Sequence, residues 1–263
     1  MRTEEFDYPL PPEAIAQEPA DPRDSSRLLV LDRFTGEIHE DTFRQVADYL
    51  RPGDVLALND TRVIPARLHG RRPTGGRCEV FLLRDLGEGK WEALVRPARR
   101  LKPGAEVLIG EVRLKVLERT PEGTRVVEFP SREAAERVLE EHGQVPLPPY
   151  IKRPLHDPER YQSVFARSPG STAASTAALH FTEGLIERLR QKGVRVVWFT
   201  LHMGLGSFRP IRVEEVEQHR LPPEVYTLPP ETASEVNRAK ACLLYTSDAA
   251  DEGLGVDLGG RRI

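Results

Sequence analysis

Cysteine is nearly missing from this chain: Cys78 and Cys242 are the two among 263 residues. Two isolated thiols exclude a disulfide framework, and their spacing matches no zinc site. Aromatic residues are few, at 6%. There is no excess of one charge either. The formal net charge is −3, so overall attraction cannot recruit a nucleic acid, and any RNA must be held by local Arg and Lys clusters. No apolar run is long enough to span a membrane. The first residues, MRTEEFDYPLPPEAIAQEP, are acidic and Pro-rich where a signal peptide needs a basic start and an apolar stretch. These absences point to a cytoplasmic globular protein, long enough for two modest domains or one domain carrying an insertion.

What is present divides by texture. RLLVLDR (Arg27 to Arg33) alternates as a strand, and FTGE turns it toward a second strand near Ile38. Asp41 or Thr42 is placed to cap a short helix from Phe43 to Leu50, and Val55 to Leu58 has the pattern of a buried strand. From about Val63 to Pro130, short β-rich runs alternate with turn signals, as in a small antiparallel barrel. Ser131 then caps an amphipathic helix ending at Gly143. QVPLPPYIKRP reads as an extended connector. Thr182 can cap FTEGLIERLRQKG, Gly193 stops it, and VRVVWFTL reads as a buried strand leading to His202. The expected architecture is an α/β (α+β) domain formed by residues 1–62 and 150–241, with an antiparallel β-barrel inserted over 63–149.

Three segments carry chemistry, each with a plainer alternative. LNDTRVIPARL puts a polar quartet directly after a strand, where open α/β sheets place ligand groups, although Asn, Asp and Thr also favour turns. STAASTAALHFT lets a ligand approach a helix start near His180, or is simply a close-packed, Ala-rich start. TLHMGLGSFRPI delivers His202 into a loop where Gly204 and Gly206 permit close backbone approach, or it is an ordinary glycine turn. Basic residues cluster at Arg62, Arg67, Arg71, Arg72 and Arg77, at Arg96, Arg99, Arg100 and Lys102, and at Lys152 and Arg153. Each cluster suits phosphates or a solvated face.

Taken in order, FDYPLPPEAIAQEPADPRDSSRLLVLDR, LNDTRVIPARL, EVFLLR, WEALVRPARRLKPG, GQVPLPPYIKR, RYQSVFAR and TLHMGLGSFRPI resemble the S-adenosylmethionine:tRNA ribosyltransferase-isomerases of queuosine biosynthesis. The resemblance runs from about Phe6 to Ala241. Two departures stand out: Ser175 and Ala178 replace a Pro and a Gly of the family's P-T-A-G-L-H-F-T, and His219 to Glu224 lacks the second His of H-x-M-H-x-E. The resemblance implies an α/β domain with an inserted barrel. It also implies transfer of the ribosyl unit of S-adenosylmethionine to 7-aminomethyl-7-deazaguanine at the tRNA wobble position, giving epoxyqueuosine, adenine and methionine. S-adenosylmethionine is then a consumed co-substrate, with no cofactor and no metal, and the protein is a cytoplasmic monomer.

Such a reaction needs a base of near-neutral pKa beside the sulfonium and a proton donor for departing adenine. His180 and His202 are the candidates, with Asp60 to pair with a cation or the ribose hydroxyls. Asn59, Thr61, Arg62, Thr182, Gly204 and Gly206 are the expected substrate contacts, and Arg96, Arg99, Lys102, Lys152 and Arg153 the expected RNA contacts. Two rivals from other classes are a non-catalytic RNA-binding protein, which would lack affinity for S-adenosylmethionine, and a methyltransferase, against which stands the missing G-x-G-x-G turn. After Ala241 the resemblance stops. Cys242 to Glu252 back-translates into what looks like a sequencing-library adapter, so residues 242–263 are read as a non-native tail. The chain is on that reading C-terminally truncated, with little or no activity expected.

Overall fold

The computed structural model describes residues 1–32, 34–208 and 210–241; the tail expected over 242–263 lies outside them. An antiparallel hairpin comes first, β1 (Arg27–Leu31) with β2 (Ile38–Thr42). Alternation turns Leu28 and Val30 inward and leaves Leu29 and Leu31 exposed. The helix expected over 43–50 is broken into a 3-10 turn at Phe43–Gln45 and a short α1 (Val46–Tyr49). The Thr42 hydroxyl bonds to the Gln45 side chain (2.7 Å) instead of a backbone N–H. Without a side-chain cap, the first turn tightens to i→i+3 bonding.

β3 (Val55–Asn59) and β4 (Thr61–Val63) lead into the barrel, which runs through β5 (Arg67–Arg71), β6 (Arg77–Gly87), β7 (Lys90–Arg96), β8 (Glu106–Ile109), β9 (Val112–Arg119) and β10 (Arg125–Glu128). Their order is β5-β6-β7-β10-β9-β8, and Arg71 opposite Leu108 closes the ring. Closure requires Gly70, because a Cβ there would lie 2.7 Å from the Leu108 carbonyl oxygen and from a Val107 methyl. Leu68, Val80, Leu82, Leu114 and Val116 are fully buried inside, each worth roughly 1.5–3 kcal/mol.

α2 (Arg132–His142) follows, with the Ser131 hydroxyl accepting from the Ala134 N–H (3.2 Å). Gly143 ends it in extended conformation and begins β11 (Gly143–Gln144), which pairs with β5. A glycine is needed there for space: a Cβ would meet the carbonyl oxygens of Leu139 and Pro65, both at 2.3 Å. After the proline-rich connector, β12 (Ser168–Ser171) runs parallel to β4. The Gln162 amide reinforces that junction by bonding the N–H and C=O of Val63 (3.0 and 2.9 Å). The barrel is thus an insertion whose incoming and outgoing strands lie side by side.

α3 (Glu183–Gln191), capped by Thr182, packs Leu185, Ile186 and Leu189 against Phe43, Ala47 and Leu58. β13 (Arg195–His202) runs parallel to β3, antiparallel to β14 (Val225–Thr227), and is followed after β14 by α4 (Pro230–Ala241). β13 was expected to be buried and is half-buried along its whole length. Its sheet has three strands, and α3 and α4 each cover only part of it.

Candidate functional site

The polar quartet after β3 is neither a simple turn nor a free loop. The chain leaves β13 at Asn59 and joins β12 at Thr61, changing partners at Asp60. Asn59 splices the two sheets together: its side-chain NH2 donates to the Leu201 carbonyl (3.0 Å), and its oxygen accepts from the N–H groups of Leu201 (2.9 Å) and Thr61 (3.1 Å). Asp60 is only 3% exposed. A buried carboxylate must be fully bonded, and Asp60 accepts from the Thr200 hydroxyl and from Arg167 Nε, each at 2.6 Å. Its backbone oxygen receives the N–H groups of Arg167 and Ser168.

His202 ends β13 beside this knot. Its Nδ1 is 2.8 Å from the Thr61 hydroxyl, which leaves Nε2 for the cleft that the ring lines. Burial lowers the pKa of His202, while Asp60 raises it by a smaller amount, so the neutral imidazole is favoured near neutral pH. Gly170 lies against the ring. A Cβ at that position would be 2.9 Å from both Nε2 and Cε1, and its φ of +147° is one that side chains rarely adopt. Beyond His202, the Ser171 hydroxyl accepts from the Met203 N–H (3.0 Å), and Glu224 accepts from the Gly204 N–H (3.1 Å). These bonds fix the loop that follows the strand.

The cleft holds about 310 Å³ and opens between this knot and the barrel wall. Trp91 and Leu83 supply an apolar side; Asp85, Glu92, Glu122 and Glu224 supply carboxylates, against the single cation Arg84. Arg84 pairs with Glu92 at 3.1 Å. β6 bulges against β7 on either side of Arg84 and Asp85, and bulges re-aim side chains in this way at strand ends.

The structure therefore gathers Asn59, Asp60, Thr61, His202 and Gly204 of the residues expected from the sequence. It places the others elsewhere. His180 does not line the cleft; its Nδ1 is 2.9 Å from the Ser26 hydroxyl, and its ring is 5.1 Å from that of Phe43. Arg62 pairs with Glu159, the Thr182 hydroxyl caps α3 through the Leu185 N–H, and Gly206 packs near Pro222. Arg96, Arg99 and Lys102 are exposed and make no ion pair among the described residues. The segment they occupy is anchored by the buried Arg125 guanidinium, which donates to the carbonyls of Leu101 and Ala98 (3.0 and 3.3 Å). Lys152 bonds the Pro149 carbonyl, and Arg153 pairs with Glu18.

Arg167, Thr200, Gly170 and the barrel carboxylates were missed by sequence reasoning. Only Gly170, directly after Pro169, carried a local signal, and it reads equally as a turn. Among the described residues, no three His, Cys, Asp or Glu side chains group as a metal site, and no helix is long and apolar enough to cross a membrane.

Comparison with known proteins adds a family. The model of the family described as "Queuosine biosynthesis protein" matches residues 3–243. The chain is 48% identical over 243 residues to the S-adenosylmethionine:tRNA ribosyltransferase-isomerase of Halothermothrix orenii, covering 91% of this chain and 71% of that protein. The protein of the same name from Thermotoga maritima is 49% identical, with the same coverage. A solved structure of S-adenosylmethionine tRNA ribosyltransferase from Thermotoga maritima is 36% identical, covers 90% of this chain and 66% of that one, and has a TM-score of 0.39. The chain thus spans just under two thirds of that solved chain.

Proposed function

The chain belongs to the queuosine biosynthesis protein family, and from that premise we propose that the His202 cleft is the S-adenosylmethionine site of a tRNA ribosyltransferase-isomerase. The reaction moves the ribosyl unit to the amine of 7-aminomethyl-7-deazaguanine at the tRNA wobble position, in the cytoplasm, and releases adenine and methionine. The observation that carries the reading is His202 itself: a half-buried, neutral-leaning imidazole with Nδ1 engaged and Nε2 turned to a cleft. A sulfonium acidifies the protons on its neighbouring carbon, and a base with pKa near the working pH removes one most effectively. The imidazolium so formed is in turn an acid able to protonate departing adenine. Supporting this, the carboxylates of the cleft outnumber its one arginine, a balance that suits a cationic sulfonium.

Of the two histidines, the geometry favours His202. Calorimetry should detect S-adenosylmethionine binding to the wild-type chain. In a full-length version carrying the family's C-terminal part, adenine release in the presence of tRNA bearing the precursor base should fall by about two to four orders of magnitude in His202→Ala, and by less than about tenfold in His180→Ala. Wild-type rates in His202→Ala would refute its role, and absence of S-adenosylmethionine binding would refute the reading as a whole.

A further inference from the structure

An acidic cleft repels the phosphates of the RNA that must reach it, so the backbone has to be held elsewhere. At the other end of β6 the charge reverses. Arg71 on β5 and Arg77 on β6 stand directly opposite each other, both are exposed, and neither makes an ion pair among the described residues. Like charges facing across an antiparallel ladder repel. His69 follows on the same face of β5, and the three side chains line a recess of about 610 Å³ floored by Gly70, Cys78, Leu108 and Gly110. No carboxylate lines it. The carboxylate nearest in the ladder, Glu79 opposite His69, is engaged by Arg67 at 3.3 Å. The His142 ring lies against Gly110 at the rim, where a Cβ would come within 2.3 Å of its Nε2.

We propose that the recess between Arg71 and Arg77 is a phosphate-binding site for the backbone of the RNA substrate. Two facing arginines without counter-ions are relieved by an anion placed between them, and guanidinium groups bind phosphate with paired hydrogen bonds. Position fits as well. Cys78 borders the recess and Arg84 borders the cleft, and the rise of a strand, about 3.3 Å per residue, separates them by roughly 20 Å along β6. A nucleotide in the cleft and a backbone phosphate in the recess then span one barrel wall. The inference rests on the proposed tRNA reaction, and deepens it by assigning part of the RNA footprint to residues outside the reacting centre.

The test is tRNA binding to the 263-residue chain, measured by fluorescence anisotropy across a salt series, for wild type and for the Arg71→Gln, Arg77→Gln double variant. Loss of the one phosphate held between the two arginines should flatten the plot of log affinity against log salt by roughly 0.7–0.9 units. The melting temperature should not fall, because a repulsive pair has been removed; an unfolded variant would contradict the unpaired geometry on which the site is built. Tight wild-type binding with an unchanged slope in the variant overturns the recess and leaves the tRNA reaction standing. Failure of the wild type to bind tRNA, while inorganic phosphate still shields Arg71 and Arg77 from an arginine-selective dicarbonyl reagent, overturns the tRNA reading instead.

Discussion

Replacing Thr61 with valine removes one hydroxyl and leaves the side-chain shape almost unchanged. Thr61 is buried, and its hydroxyl is 2.8 Å from His202 Nδ1. An imidazole whose Nδ1–H donates to that oxygen presents Nε2 to the cleft as a bare acceptor, the tautomer a base requires. In Thr61→Val, Nδ1 loses its partner in a site where water is largely excluded, which costs ~1–3 kcal/mol. At about 2 kcal/mol, a protein of this size should lose roughly 4–8 °C in melting temperature. Thr61→Ser separates the two contributions of the side chain. It gives up one buried methyl, about 0.8 kcal/mol, but keeps the hydroxyl and therefore the tautomer. Long-range nitrogen–proton NMR of the His202 ring reads that tautomer directly. The expected result is a single tautomer in wild type and Thr61→Ser, and a mixture in Thr61→Val. A valine variant with the wild-type tautomer and wild-type melting temperature would refute the idea that Thr61 positions His202.

Gly170→Ala should be poorly tolerated, since its Cβ would be 2.9 Å from the His202 ring at a φ of +147°. We expect ~1–3 kcal/mol of destabilisation and at least about tenfold weaker S-adenosylmethionine binding; unchanged calorimetric affinity would show that the ring has no need of that glycine. The pKa of His202 is lowered from its ordinary 6.5 by burial. A histidine depressed in this way contributes stability that is fully present above about pH 6.5 and lost as the pH falls through its folded value. Melting temperatures measured from pH 8 to pH 5 should therefore drop more steeply for wild type than for His202→Gln, and parallel curves would contradict the burial argument.

The barrel was legible because its strands alternate with period two and are punctuated by Pro-Gly and Gly-Gly turns, signals that act within a few residues. The strand ending at His202 was legible as a continuous apolar run, and the Thr182 cap as a capping residue ahead of an amphipathic helix. What could not be read depends on partners far apart in the chain. Asp60 is held by Arg167 and Thr200, each more than a hundred residues away, and no spacing rule links them. Asn59 carries the chemistry of a ligand contact but spends its amide on the backbone of Leu201. His180 and His202 lie in equally polar segments, and only the tertiary fold brings one to the cleft and the other to Ser26 and Phe43. The half-burial of β13 followed likewise from sheet size, which a continuous apolar run does not reveal.

The side-by-side ends of the insertion bear on the order in which the molecule assembles. Bringing β12 onto β4 from an unfolded chain closes a loop of roughly a hundred residues, an entropic penalty of ~4 kcal/mol. If the barrel forms first, β11 is already paired with β5, and the segment still to be closed shrinks about fourfold. Two halvings of the loop recover ~1.2 kcal/mol, and the Gln162 clasp on Val63 then meets a preformed neighbour. On that order the histidine cleft, built from both sides of that junction, takes shape only after the barrel has matured as a kinetic unit of its own.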